Sequence, residues 1–157
     1  MNYLIREMRK NEYLLLDNFL YNAIFIPQNA VPPPKSIIEQ DELKVYVKDF
    51  GERKDDIALA AEVNGEIVGA VWTRIMDDYG HIDNDTPSLA ISLYSEYRGK
   101  GIGTNMMLKM LSLLKQRGYK RVSLAVQKAN YAVKMYKKVG FVVFDENQQE
   151  YIMICKL

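Results

Sequence analysis

Histidine and cysteine are nearly missing from this chain, which has one of each, His81 and Cys155. A single cysteine excludes an internal disulfide, and no metal site is expected. Cys155 lies in a strand-like terminal run and reads as a small buried apolar residue rather than a nucleophile. A charge excess is missing as well: 21 Lys and Arg against 20 Asp and Glu leave a formal net charge of +1. That balance gives no electrostatic case for nucleic acid or a membrane surface. No apolar run approaches the ~20 residues of a membrane span. Met1 to Asn11 lacks the apolar core of a signal peptide, so the expected setting is the cytoplasm. Proline is scarce, with three of five residues in Pro32-Pro33-Pro34, a stiff connector too short to link domains. With no repeats and no low-complexity tract, the 157 residues read as one domain, 1–157, large enough to bury a core.

Against these absences one stretch is dense in glycine. A strand pattern over Ser88–Tyr94 runs through a short turn into Arg98-Gly99-Lys100-Gly101-Ile102-Gly103-Thr104, and a helical pattern continues to about Arg117. Glycines at such a junction let the main chain approach a ligand closely. The amide donors and dipole of the helix N-terminus then favour an anion such as a phosphate. Two other phosphate loops are excluded. A P-loop needs a longer gap between glycines and a Gly-Lys-Ser/Thr ending, whereas Gly103-Thr104 has no lysine between. A dinucleotide fingerprint needs glycine where Met106 stands, and it follows a first strand rather than a late one.

The rest of the chain supplies a mixed set of elements. Asn2–Arg6 reads as a strand and Asn11–Ile24 as a helix that Pro27 ends. Some of that helix's Leu, Tyr and Phe residues are candidates for an acceptor pocket. A second helix is predicted over Ser36–Asp49, with a Ser36/Glu39 capping box and Gly51 as its stop. Asn64-Gly65 between Asp56–Val63 and Glu66–Met76 signals a two-residue hairpin turn. Residues 77–87 form a polar loop with four aspartates, no Lys or Arg, and His81. Arg121–Gln127 alternates as a strand, Asn130–Lys138 is a short helix closed by Gly140, and strands follow over Phe141–Asp145 and Glu150–Lys156. The strand–helix–strand unit around the glycines requires a parallel pair with a right-handed crossover. The fold class is α+β, a mixed sheet with helices on both faces.

Two landmarks, Arg98-x-x-Gly101-x-Gly103 and Tyr136-Lys137-Lys138-Val139-Gly140-Phe141, resemble the GNAT N-acetyltransferase superfamily, and the similarity extends over residues 55 to 157. The resemblance implies a three-layer fold with a central, mostly antiparallel sheet. In it the parallel strands near 88–94 and 121–127 splay apart to admit the pantetheine arm of acetyl-CoA. It implies that Leu93 and Tyr94 at the strand end, the loop Arg98, Gly99, Lys100, Gly101, Ile102, Gly103 and Thr104, and Asn130 hold this cosubstrate. It also implies that Tyr136 donates a proton to the departing sulfur.

The implied reaction is direct attack on the thioester by a primary amine of a small molecule or peptide; a homodimer is also expected. The alternative is a non-catalytic acyl-CoA-binding regulatory module of the same fold, and an unrelated mixed-sheet protein is a third reading. His81, Asp83, Asp85 and Glu96 are candidate general bases, and none is singled out. Four carboxylates before the central strand lead to the expectation of a cationic acceptor: a polyamine, an aminoglycoside-like molecule, or a lysine or N-terminal amine.

Overall fold

The computed structural model describes all 157 residues. Seven strands build one sheet: β1 (Leu4–Glu7), β2 (Ile57–Val63), β3 (Glu66–Arg74), β4 (Ser88–Leu93), β5 (Arg121–Gln127), β6 (Val142–Glu146) and β7 (Glu150–Lys156). Their spatial order is β1-β2-β3-β4-β5-β7-β6. Every neighbouring pair is antiparallel except β4 and β5, which run parallel. Asn64 and Gly65 adopt φ of 52° and 83°, the left-handed pair that a type I′ hairpin needs. That turn sets the register of β2 on β3.

The centre of the sheet is covered on both faces, which is why β2 and β3 read as nearly continuous apolar runs. Ala58, Ala60, Ala70 and Trp72 pack against α1 (Leu16–Ala23), where Leu16, Phe19 and Leu20 are buried. Leu59, Val71, Leu89 and Leu124 pack beneath α3 (Ile102–Gln116), whose buried face is Ile102, Met106, Met107, Met110, Leu111 and Leu114. Burying side chains of this size contributes about 1.5–3 kcal/mol each. A shorter helix, α4 (Ala132–Val139), lies on the α3 face and ends at Gly140 with φ 116°.

Two predicted helices are shorter than their patterns. Lys10–Leu15 is a 3-10 turn without a buried residue, and the α-helix starts only at Leu16. The segment predicted as one helix over Ser36–Asp49 divides into a 3-10 turn, Lys35–Glu39, and a single α-turn, α2 (Asp41–Lys44), separated by the extended residue Gln40. The Ser36/Glu39 box does not form, because the segment starts behind Pro34 with no side-chain cap. Farther on, the Val45 and Lys48 carbonyls accept hydrogen bonds from Arg74 Nη1, at 2.9 and 2.8 Å. Acceptors that a longer helix would use are thereby spent on the sheet.

Candidate active site

The sheet opens where its one parallel pair begins. Ser88 faces Ser123, the Ser123 amide donates to the Pro87 carbonyl at 3.0 Å, and no further register joins β4 to β5. On its other edge β4 stays paired to β3 as far as Leu93, and the Tyr94 amide donates to the Val68 carbonyl. Since antiparallel pairing alternates, even-numbered residues of β4 spend their backbone groups on β3. Leu89, Ile91 and Leu93 therefore direct theirs towards β5, and beyond Ser88 that side is a gap. A cleft of about 870 Å³ lies at the C-terminal mouth of this gap, reaching from the glycine loop and α4 to the chain that leaves α1.

The mouth of the cleft is built for an anion. Gly99 and Gly101 have φ of 75° and 85°, a left-handed conformation that other residues adopt only with strain. Gly101 is the N-cap of α3; no side chain caps that end, and its first turn carries no acidic residue. The first intrahelical bond runs from the Asn105 amide to the Gly101 carbonyl, so the preceding amides have no acceptor within the helix. Arg98 braces the opening: its Nε donates to the Leu93 carbonyl at 2.8 Å and its guanidinium also reaches the Tyr131 hydroxyl at 3.3 Å. Free amides, a helix dipole and a guanidinium around one entrance fit a pyrophosphate.

Most of the residues picked from sequence meet here. Leu93, Tyr94, Arg98, Gly99, Gly101, Gly103, Thr104, Asn130 and Tyr136 all line the cleft. Two do not: the Ile102 side chain is 1% exposed within the core, and Lys100 is exposed outside the cleft lining. Only the backbone of those two belongs to the turn. Tyr94 also lies just past the strand that was expected to include it. Asn130 Oδ1 accepts the Ala132 amide at 2.9 Å and so starts α4 two residues later than predicted. Tyr136 is 8% exposed, packed against Phe141 with ring centroids 6.0 Å apart. Burial pushes its phenol pKa well above the ordinary tyrosine value, so the group stays protonated throughout the neutral range.

The acidic loop is elsewhere. None of residues 77–87 lines the cleft. Asp83 and Asp85 line a separate depression beside Lys120 and Arg121, where β5 starts. Asp83 pairs with Arg121 at 2.6 Å, and hydrogen bonds from Arg121 and Thr86 hold its carboxyl at about 2. Asp78 accepts the Tyr46 and Ser88 hydroxyls, each at 2.8 Å. These aspartates therefore do not line the cleft: the loop enters β4 at Ser88, and the cleft opens at the strand's other end. Of the four candidate bases only Glu96 is at the cleft; its own amide and the Ser95 hydroxyl lower its pKa.

The site also holds residues that the motifs did not name. Ile24, Phe25 and Ile26, beyond the end of α1, line the side of the cleft opposite α4 with Pro32 and Pro33. The Tyr21 hydroxyl donates to the Pro33 carbonyl and fastens the proline connector to α1. The one signal in the sequence was the run Ile24-Phe25-Ile26 against Pro27, which a helix-period search reads merely as a helix end.

A sheet with one splayed parallel pair, and an uncapped glycine-rich helix start at the splay, defines the N-acetyltransferase type of mixed-sheet fold. The chain belongs to the acetyltransferase (GNAT) family, whose model matches residues 20–141. It is 35% identical over 91 residues to an acetyltransferase of Pectobacterium atrosepticum, covering 57% of this chain and 60% of that protein. Over 81 residues it is 31% identical to the mycothiol acetyltransferase of Streptosporangium roseum, covering 50% of this chain and 24% of the relative. Its fold is similar to that of the PaiA N-acetyltransferase of Thermoplasma acidophilum, solved with coenzyme A. There the TM-score is 0.73 and the identity 21%, with all of both chains covered.

Proposed function

We propose that the chain is an acetyl-CoA-dependent N-acetyltransferase acting on a primary amine by direct attack on the thioester. One observation carries this reading: the gap between β4 and β5 opens beside an uncapped helix N-terminus, so one cleft offers strand backbone and anion donors together. The backbone of Gly99 to Thr104 and Arg98 would hold the pyrophosphate. Ile91 and Leu93 would pair with the amides of the pantetheine arm. Such an arrangement brings the two reactants together, a contribution of about 7–11 kcal/mol in well-oriented systems.

In the transfer the amine nitrogen forms a bond to the carbonyl carbon and the carbon–sulfur bond breaks. The ammonium must lose one proton to solvent before attack, and the nitrogen must lose a second after its bond to carbon forms; that second proton replaces, through solvent, the one delivered to sulfur. The leaving sulfur must gain one, and Tyr136 is the neutral donor on the cleft wall. The hydroxyl is protonated at neutral pH and can donate to the sulfur as charge builds there. The homodimer reading rests on the edge strand β6, where Val142 and Phe144 are 59% and 52% exposed. Light scattering at the mass of one chain overturns it.

The test of the transferase reading is thiol release from acetyl-CoA with a panel of amines. Amine-dependent release is expected, and Tyr136→Phe should lower kcat by about 10²-fold or more while the affinity for acetyl-CoA is kept. Acetyl-CoA binding without release for any amine places the chain with the non-catalytic modules. A normal kcat in Tyr136→Phe returns that residue to packing.

A further inference from the structure

Three large apolar side chains in this molecule serve no core. Ile24, Phe25 and Ile26 are half-buried, yet they belong to neither of the two apolar clusters that flank the sheet. They line the cleft instead, on the side away from the glycine loop and α4. The chain that carries them is held in place, because the Tyr21 hydroxyl is bonded to the Pro33 carbonyl across the connector. Apolar surface of this kind stays exposed to water until something covers it.

The charge in the cleft points the same way. Glu96 is the one carboxylate among its lining residues, and Arg98 is the one cation. The four aspartates that would suit a polycation lie outside it. Glu96 lies beside Arg98, so the lining carries no net negative charge, and the second or third ammonium of a polycation would meet Arg98 or the apolar wall without a partner. Stranding a charge against apolar surface is costly.

We infer that the acceptor arm of this cleft takes a primary monoamine carried on an apolar body, with the body against Ile24, Phe25 and Ile26. The inference rests on the transferase reading and names its substrate class. An aliphatic or aromatic small amine and a peptide with an apolar first residue share this chemistry. Polyamines and aminoglycosides do not.

The experiment compares kcat/KM for 2-phenylethylamine, hexylamine, a tetrapeptide starting with phenylalanine, spermidine and kanamycin at saturating acetyl-CoA. The apolar amines should exceed both polycations by roughly tenfold or more, the scale on which apolar pockets discriminate. The better of phenylethylamine and the peptide identifies the source of the amine. Phe25→Ser should raise KM for the apolar amine by roughly tenfold with acetyl-CoA affinity unchanged. Equal or higher kcat/KM for spermidine or kanamycin overturns the inference while the transferase reading stands. So does an unchanged KM in a folded Phe25→Ser variant. Melting of the coenzyme A complex with each amine reads binding without turnover. A shift with phenylethylamine but no thiol release sinks the transferase reading and supports the apolar site; no shift sinks the site.

Discussion

Gly103 separates what the fold needs from what the ligand needs. Unlike Gly99 and Gly101 it has no positive φ, and a Cβ there would meet only Met135 Sδ, at an ordinary 3.5 Å. The fold thus tolerates alanine, and inside a helix that exchange is worth up to about 1 kcal/mol of added stability. The new methyl group would stand in the anion cradle. Gly103→Ala should therefore keep or raise the melting temperature while weakening coenzyme A binding about tenfold or more, 1.4 kcal/mol. Unchanged affinity, measured by calorimetry, contradicts the placement of the pyrophosphate. Residue types in a spaced motif made this loop legible from sequence. The direction of each side chain was not legible there: Ile102 and Lys100 share the motif but leave the cleft, because helix geometry turns Ile102 into the core.

At the scale of elements, strands were read closely and the N-terminal helices were not. Strand pattern and turn chemistry agree in the β2–β3 hairpin, so local signals sufficed. The segment after Pro34 obeys a distant partner instead. Arg74, on β3, is fully buried and forms a bidentate pair with Asp56, at 2.9 and 2.8 Å, besides taking the Val45 and Lys48 carbonyls. Asp56 also accepts the Gly51 and Arg53 amides. No local period announces an ion pair between residues 18 apart. Arg74→Met leaves the Asp56 carboxylate buried and uncompensated, and denaturant unfolding should show a loss of about 3–5 kcal/mol. A loss below about 1 kcal/mol, the value of an exposed pair, contradicts this account.

β1 is tied to the following 3-10 turn by a second pair, which titrates. Arg6 makes two hydrogen bonds to Glu12, at 2.9 and 2.8 Å, and one to Glu62 at 3.0 Å. The Arg6 guanidinium holds the Glu12 carboxyl down at about 2. A depressed carboxyl stabilises fully above its ordinary value near 4.3. As pH falls, the unfolded chain binds its proton first, and the contribution disappears on the way down to about 2. Unfolding free energies measured between pH 6 and pH 2.5 should fall in that window, and less steeply in Glu12→Gln. Parallel profiles for the two proteins contradict the assignment.

For the molecule as a whole, the fold class, the parallel pair and the glycine loop proposed to hold the cofactor were legible in the sequence, because glycine turns and strand periods are local marks. The acceptor side was not. The wall proposed for it comes from residues past the end of α1, and whether the 77–87 aspartates line the cleft depends on which end of β4 the loop joins, and that is settled only in three dimensions. No helix is long and apolar enough to cross a membrane. The account's central claim is that the splay between β4 and β5, with Gly101 at the start of α3, is the seat of acetyl-CoA. Isothermal titration of acetyl-CoA into the wild-type protein and Gly101→Glu tests it most directly. The account predicts one molar equivalent bound by the wild type and none by the variant, whose added carboxylate repels the pyrophosphate, with the variant still folded by circular dichroism. No binding by the wild type, or equal affinity in a folded Gly101→Glu, would contradict it.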